Sequence, residues 1–218
     1  MMTFRQDRGL TGIELGLLAL SALLGLAYLG DGFGLTAPYP FNVVLKASGI
    51  VLLGVFAAVR GHWLLAAGLL LGSAGDVFLA LEPTQTAFGI GAFGLGHIVY
   101  ILLFADVLRR SASRGLPGYL AAAILAIFGA IMLVALQPHF GELRIPASIY
   151  NAIIMLMAIL AVLGRAPALA IIGALLFVVS DSVLAWRMFA DALPWGGPVV
   201  WVTYYLGQAG IAVGLSSR

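Results

Sequence analysis

Residues 63–81 read WLLAAGLLLGSAGDVFLAL, a run interrupted only by Ser73 and the carboxylate of Asp76. At 1.5 Å per residue such a segment spans about 28 Å, the thickness of a bilayer's hydrocarbon core. A charged side chain at that depth costs several kcal/mol, so Asp76 needs a partner or a task. The pattern returns as VSDSVLA at 179–185, where Asp181 stands 105 positions after Asp76. Two carboxylates face one problem, and the rest of the chain can be read around them.

The composition places the whole chain in the same solvent. Of 218 residues, 62% are hydrophobic and 9% charged, with a mean hydropathy of +1.10, against about a quarter charged in a globular domain. The apolar runs are too long for barrel strands and do not alternate, so the expected class is an all-α integral membrane protein. Eight spans are expected at roughly 12–29, 42–59, 63–81, 88–108, 118–136, 146–163, 168–187 and 197–216, in one transmembrane domain. The first span follows Arg5 and Arg8 but has no convincing small-x-small cleavage site before Asp31, so it is read as a helix rather than a signal peptide. The chain has no cysteine, which excludes thiolate metal sites and disulfides.

Loop charge gives orientation. Arg5, Arg8, Arg60, Arg109, Arg110, Arg114, Arg165 and Arg218 fall on one side of this eight-span count, and only Arg144 and Arg187 on the other. Since cytoplasmic loops are enriched in Lys and Arg, both termini are expected in the cytoplasm, which an even number of spans also requires. The basic pI near 9.2 is thus a topology signal, and no nucleic-acid partner is expected. Tyr28, Tyr39, Trp195 and Trp201 are placed as an aromatic belt at the outer boundary. The 105-residue offset that pairs Asp76 with Asp181 also pairs Lys46 with Asn151, which suggests two parallel four-helix repeats, 1–110 and 111–218, related by an axis along the membrane normal.

Counted inward from the outer ends, Lys46, Asp76, Asn151, Asp181 and Tyr204 share a depth on the order of 6 to 12 Å. His97, Tyr100, Tyr205 and Gln208 extend that layer toward the midplane, and Tyr150 and Ser180 adjoin it in sequence. Buried ionisable groups face the bundle interior and find one another, so these residues are expected to line a polar cavity in the outer half. Other features are decoys. Gly89-Ile90-Gly91-Ala92-Phe93-Gly94 matches G-x-G-x-x-G, but it opens a membrane helix with no strand before it and is read as helix packing. Asp106 with Arg109 and Arg110 has the spacing of a surface ion pair, and Glu14 sits where an acid favours a helix N-terminus. His97 alone falls short of the three protein ligands of a catalytic zinc. Ser180 and Ser182 lack a triad histidine on an adjacent turn.

Four stretches, taken in order, resemble the YhhN-like lysoplasmalogenase family of eight-helix membrane proteins: Ser73-x-Gly75-Asp76, Gly89-x3-Phe93-x3-His97-x2-Tyr100, Gly173-Ala174-x2-Phe177-x2-Ser180-Asp181-Ser182-x2-Ala185, and Tyr205-x2-Gln208. Lys46 also resembles the family's lysine in the second span, though Ala47 follows where the family often has proline. The resemblance implies cleavage of the vinyl ether bond of a lysoplasmalogen to a fatty aldehyde and a glycerophospho-alcohol. It also implies a multi-pass location in a bacterial inner (plasma) membrane, with a lysophospholipid or other amphiphile as partner. The residues suit that chemistry. Vinyl ether hydrolysis needs a proton donor to the β-carbon, an acceptor for the attacking water, and negative charge beside the oxocarbenium ion, which Asp76 and Asp181 supply without metal or cofactor. Lys46 is expected to bind phosphate or tune the pair, and Asn151, Tyr150, Ser180, Tyr204, Tyr205, His97, Tyr100 and Gln208 to line the substrate site. The competing class is a proton-coupled transporter or binding protein for a small amphiphile, with the aspartates as relay.

Overall fold

The computed structural model describes residues 9–30, 34 and 37–217; Arg5, Arg8, Asp31 and Arg218 lie outside them. Eight helices follow in order: α1 Gly12–Leu29, α2 Phe41–Val59, α3 Trp63–Ala80, α4 Thr86–Ser111, α5 Leu116–Leu136, α6 Arg144–Leu163, α7 Ala168–Phe189 and α8 Gly196–Ser216. All eight are long and apolar enough to cross a membrane. Most helices differ from the expected bounds by one to three residues at one end or both, and the two differences that bear on the site or its flanks are at the ends of α4 and α7. α4 continues past the apolar run because Asp106 takes ion pairs from Arg109 at 2.9 Å and Arg110 at 2.6 Å, which support another helical turn, and it stops where Ala112 adopts a positive φ of 60°. α7 runs on to Phe189, so Arg187 belongs to its last turn rather than to a loop.

Helix adjacency closes a ring. α2 packs on α3, α3 on α4, α4 on α6, α6 on α7, α7 on α8, and α8 returns to α2. α1 lies outside the ring against α2 and α8, and α5 lies outside it against α6. The two outer helices turn rows of Leu, Ile and Phe outward, among them Leu20, Leu23 and Leu26 on α1 and Ile124, Ile127 and Ile131 on α5, as a lipid-facing surface requires. In lipid, burying hydrocarbon does not by itself drive helices together, so close van der Waals packing between small residues must contribute. The α7–α8 contact shows this. A side chain at Gly173 would meet the backbone of Gly207 and Ile211, and one at Gly210 would meet Leu169 O and Gly173.

Arginines close one face of the bundle. Arg60, after α2, donates from Nη1 to Glu14 Oε2 at 3.1 Å and from Nε to Ser216 O at 3.0 Å. This joins the start of α1, the end of α2 and the end of α8. Glu14 also forms a capping box with Thr11 and is fully buried, so it is a tertiary anchor as well as a helix-start acid. On the same face Arg114 donates to Gly164 O at 2.8 Å and Ala166 O at 2.9 Å, joining the α4–α5 and α6–α7 connections. A cavity opens at the other face, lined by Leu29, Thr84, Pro194 and Gly197 among others.

Candidate active site

Asp76 lies near the end of α3, 3% exposed. The glycines that precede it let neighbours close in: a side chain at Gly75 would strike the Phe93 ring, and one at Gly72 would strike Gln208 Nε2. The Asp76 carboxylate is held from two sides. Lys46 Nζ from α2 stands 3.8 Å from Oδ1, and Tyr204 from α8 donates its hydroxyl to Oδ2 at 2.5 Å. Behind Tyr204 the chain of bonds continues inward, with Gln208 Nε2 donating to the Tyr204 hydroxyl at 3.3 Å and Tyr100 donating to Gln208 Oε1 at 2.6 Å. Each buried polar group thus satisfies the next, as a low-dielectric interior demands.

Asp181 occupies the corresponding region of α7, where the Tyr150 hydroxyl of α6 donates to its Oδ2. No cation pairs with it among the described residues. Beside it, Ser180 donates to Val200 O at 3.0 Å and so fixes α7 against α8.

Both carboxylates line one cavity of about 500 Å³, together with Lys46, Ser180, Tyr204, Tyr28, Trp201, Thr84 and Arg187. That volume is in the range of small-molecule sites. A second, narrower cavity of about 80 Å³ adjoins it between α4, α5, α6 and α7, with walls such as Ile90, Leu133, Ala147, Met155 and Phe189. Phe93, Asp181, Leu79, Leu184 and Met188 line both spaces. Asp181 is therefore a carboxylate on the boundary between a polar chamber and a hydrocarbon-walled one.

Not every expected lining residue reaches the polar cavity. Asn151 lines the apolar cavity instead and donates to Gly129 O at 3.2 Å. Tyr150 also lines that cavity and reaches the site through Asp181. Tyr100 and Gln208 sit behind Tyr204 as buried support. Tyr205 points toward α1, where its hydroxyl pairs with Ser21 Oγ at 2.8 Å. His97 is 1% exposed, with Nδ1 bonded to Phe93 O at 2.7 Å and its ring 4.4 Å from that of Phe177 and 5.6 Å from that of Tyr150. It supports the wall carrying Phe93 and Tyr150. Among the described residues no three His, Asp or Glu side chains converge as a metal site would require.

Of the expected aromatic belt, Tyr39 and Trp195 are exposed, but Tyr28 and Trp201 turn inward and pack edge to face, their centroids 4.4 Å apart, in the cavity wall. A charged cavity-lining residue that sequence reasoning misses is Arg187. By loop charge it counts as an outer topology marker, yet its place six residues after Asp181 on an apolar helix is the available signal. Its side chain lies along Gly196 and Gly197 at the start of α8.

The YhhN family profile matches residues 41–215. A protein of Mycobacterium tuberculosis named lysoplasmalogenase is 33% identical over 202 residues, covering 85% of this chain and 74% of its own. Human lysoplasmalogenase TMEM86B is 35% identical over 175 residues, covering 77% of this chain and 72% of its own. An uncharacterised membrane protein YhhN of Escherichia coli O157:H7 is 31% identical over 127 residues, 56% of this chain and 59% of its own. No solved structure matches.

Proposed function

The chain belongs to the YhhN family, and from that premise we propose that it is a membrane hydrolase cleaving the vinyl ether bond of lysoplasmalogen-type lysophospholipids. The products are a fatty aldehyde and a glycerophospho-alcohol. One observation carries the reading. Asp181 borders both the polar cavity and the apolar one, and in a lysoplasmalogen the vinyl ether is where the hydrocarbon chain meets the glycerol. With the chain in the apolar cavity and the head group in the polar one, the scissile bond lies beside Asp181.

The roles follow from position. Asp181, next to the alkenyl carbons, delivers a proton to the β-carbon and leaves a carboxylate facing the oxocarbenium ion. Asp76, with Lys46 and Tyr204 on its two oxygens, accepts a proton from the water that adds to the cation. The hemiacetal then collapses to aldehyde and alcohol as its hydroxyl proton passes to the Asp181 carboxylate and Asp76 protonates the departing glycerol oxygen, which restores both groups. Tyr150 and Tyr204 aim the two carboxylates, and the reaction balances without an added oxidant, reductant or cofactor. We place the protein in a bacterial inner membrane, with the cavity opening away from the cytoplasm, on the strength of the arginine-rich opposite face.

The test is direct. Purified protein is incubated with detergent-dispersed lysoplasmalogen and aldehyde release is measured, with the saturated alkyl ether as control. Aldehyde from the vinyl ether alone is the expected result. Binding of both lipids with aldehyde from neither would instead identify a carrier.

A further inference from the structure

The cavity holds four charged groups, and they do not balance locally. Lys46 is occupied by Asp76 at 3.8 Å, and Asp181 is bonded by Tyr150. Arg187 lines the same cavity, is exposed, and forms no ion pair among the described residues. It belongs to the last turn of α7, so it stands about 9 Å along the helix axis from Asp181. Gly196 and Gly197 leave room for its side chain at the entry of α8; a side chain at Gly196 would collide with the Arg187 stem. The neighbouring lining residues Thr84, Pro194 and Pro198 come from the α3–α4 and α7–α8 connections and the start of α8, which places this end of the cavity at the bundle surface.

A lone guanidinium at the mouth of a membrane cavity, with carboxylates deeper in, is suited to an oxyanion that stays at the interface. Its fixed fork of N–H donors matches phosphate oxygens. Between the ether oxygen and the phosphate of a glycerophospholipid lie the three glycerol carbons and one ester oxygen. That length, added to the reach of an arginine side chain, spans the separation along α7.

We infer that Arg187 is the receptor for the substrate's phosphate and makes the site selective for phosphate-bearing lysolipids over neutral glycerol ethers. The inference rests on the proposed placement of the ether bond beside Asp181. It assigns recognition to a residue outside the proton-transfer pair, and leaves Lys46 to Asp76.

Binding of uncleavable lipids tests this apart from the reaction. Intrinsic fluorescence titrations would compare 1-O-alkyl-glycerophosphocholine with 1-O-alkylglycerol of the same chain length, on wild type, Arg187→Gln and Arg187→Lys. Wild type should bind the phosphate-bearing lipid at least roughly tenfold more tightly, as a charge-assisted hydrogen bond predicts. Arg187→Gln should remove most of that preference and Arg187→Lys restore part of it. A wild-type ratio near one, or an unchanged ratio in folded Arg187→Gln, overturns the assignment. If the ratio behaves as expected but wild type releases no aldehyde from the vinyl ether lipid, the phosphate site stands and the hydrolase reading falls.

Discussion

The Tyr204 hydroxyl stands 2.5 Å from Asp76 Oδ2, across the seam between α8 and α3. Its counterpart joins Tyr150 of α6 to Asp181 of α7. Each carboxylate of the cavity is thus aimed by a phenol from another helix. In the proposed reaction, Asp76→Asn and Asp181→Asn should each lower turnover at least about 100-fold, the low end of what proton transfer contributes. Tyr204→Phe and Tyr150→Phe should have smaller effects because they misaim the acid or base without removing it. Turnover and melting temperature measured on the same samples decide the matter: near-normal specific activity in either folded Asn variant ends the two-carboxylate mechanism.

The apolar cavity should read chain length. Ala147 lies in its wall, and Ala147→Phe would fill much of a space of about 80 Å³. We expect kcat/KM for long-chain substrates to fall roughly tenfold or more, with a smaller loss for short chains, since a few methylenes in a pocket are worth about that much. Equal losses at every chain length would put the hydrocarbon tail elsewhere.

The glycine seam of α7 and α8 should be intolerant of a single methyl. At Gly210 the new carbon would lie 2.7 Å from Leu169 O and 3.1 Å from Gly173 Cα, and backbone cannot yield as a side chain can. Gly210→Ala is expected to cost about 1–3 kcal/mol, visible as a lower melting temperature in detergent. Gly91, where an added methyl would meet nothing within 4 Å, is the control; Gly91→Ala should be neutral or stabilising.

For topology, reporter fusions at Arg114 and Gly141 should report opposite sides, with Arg114 cytoplasmic. Shared sidedness would sink the eight-span topology and the shared depth of the polar residues with it, and opposite sides with Arg114 outside would invert the arginine face and the cavity mouth.

Span positions are legible in the sequence because crossing a bilayer sets a length, and length survives projection onto a linear chain. Asp76 and Asp181 are legible for the same reason: an acid inside such a span stands out without knowledge of its neighbours. Lateral facing is harder to read. Helices with lipid on one side and helix on the other are apolar all round, so nothing marks Tyr28 and Trp201 as inward, Asn151 as belonging to the apolar chamber, or Tyr205 as turned to α1. Arg187 escapes notice because a cation near a helix end reads as a boundary marker whether or not it closes a cavity. The Glu14–Arg60 contact, between residues far apart in sequence, has no local signature.

The division of the cavity bears on what happens after bond cleavage. In the proposed reaction the two products have opposite solubilities, and each is released on the side of Asp181 that suits it. The aldehyde is left in the cavity walled by Met132, Leu133 and Leu136 of the lipid-facing α5, and the glycerophospho-alcohol in the one lined by Arg187. In that arrangement neither fragment has to pass the other to leave the site, so the division of the cavity bears on product release.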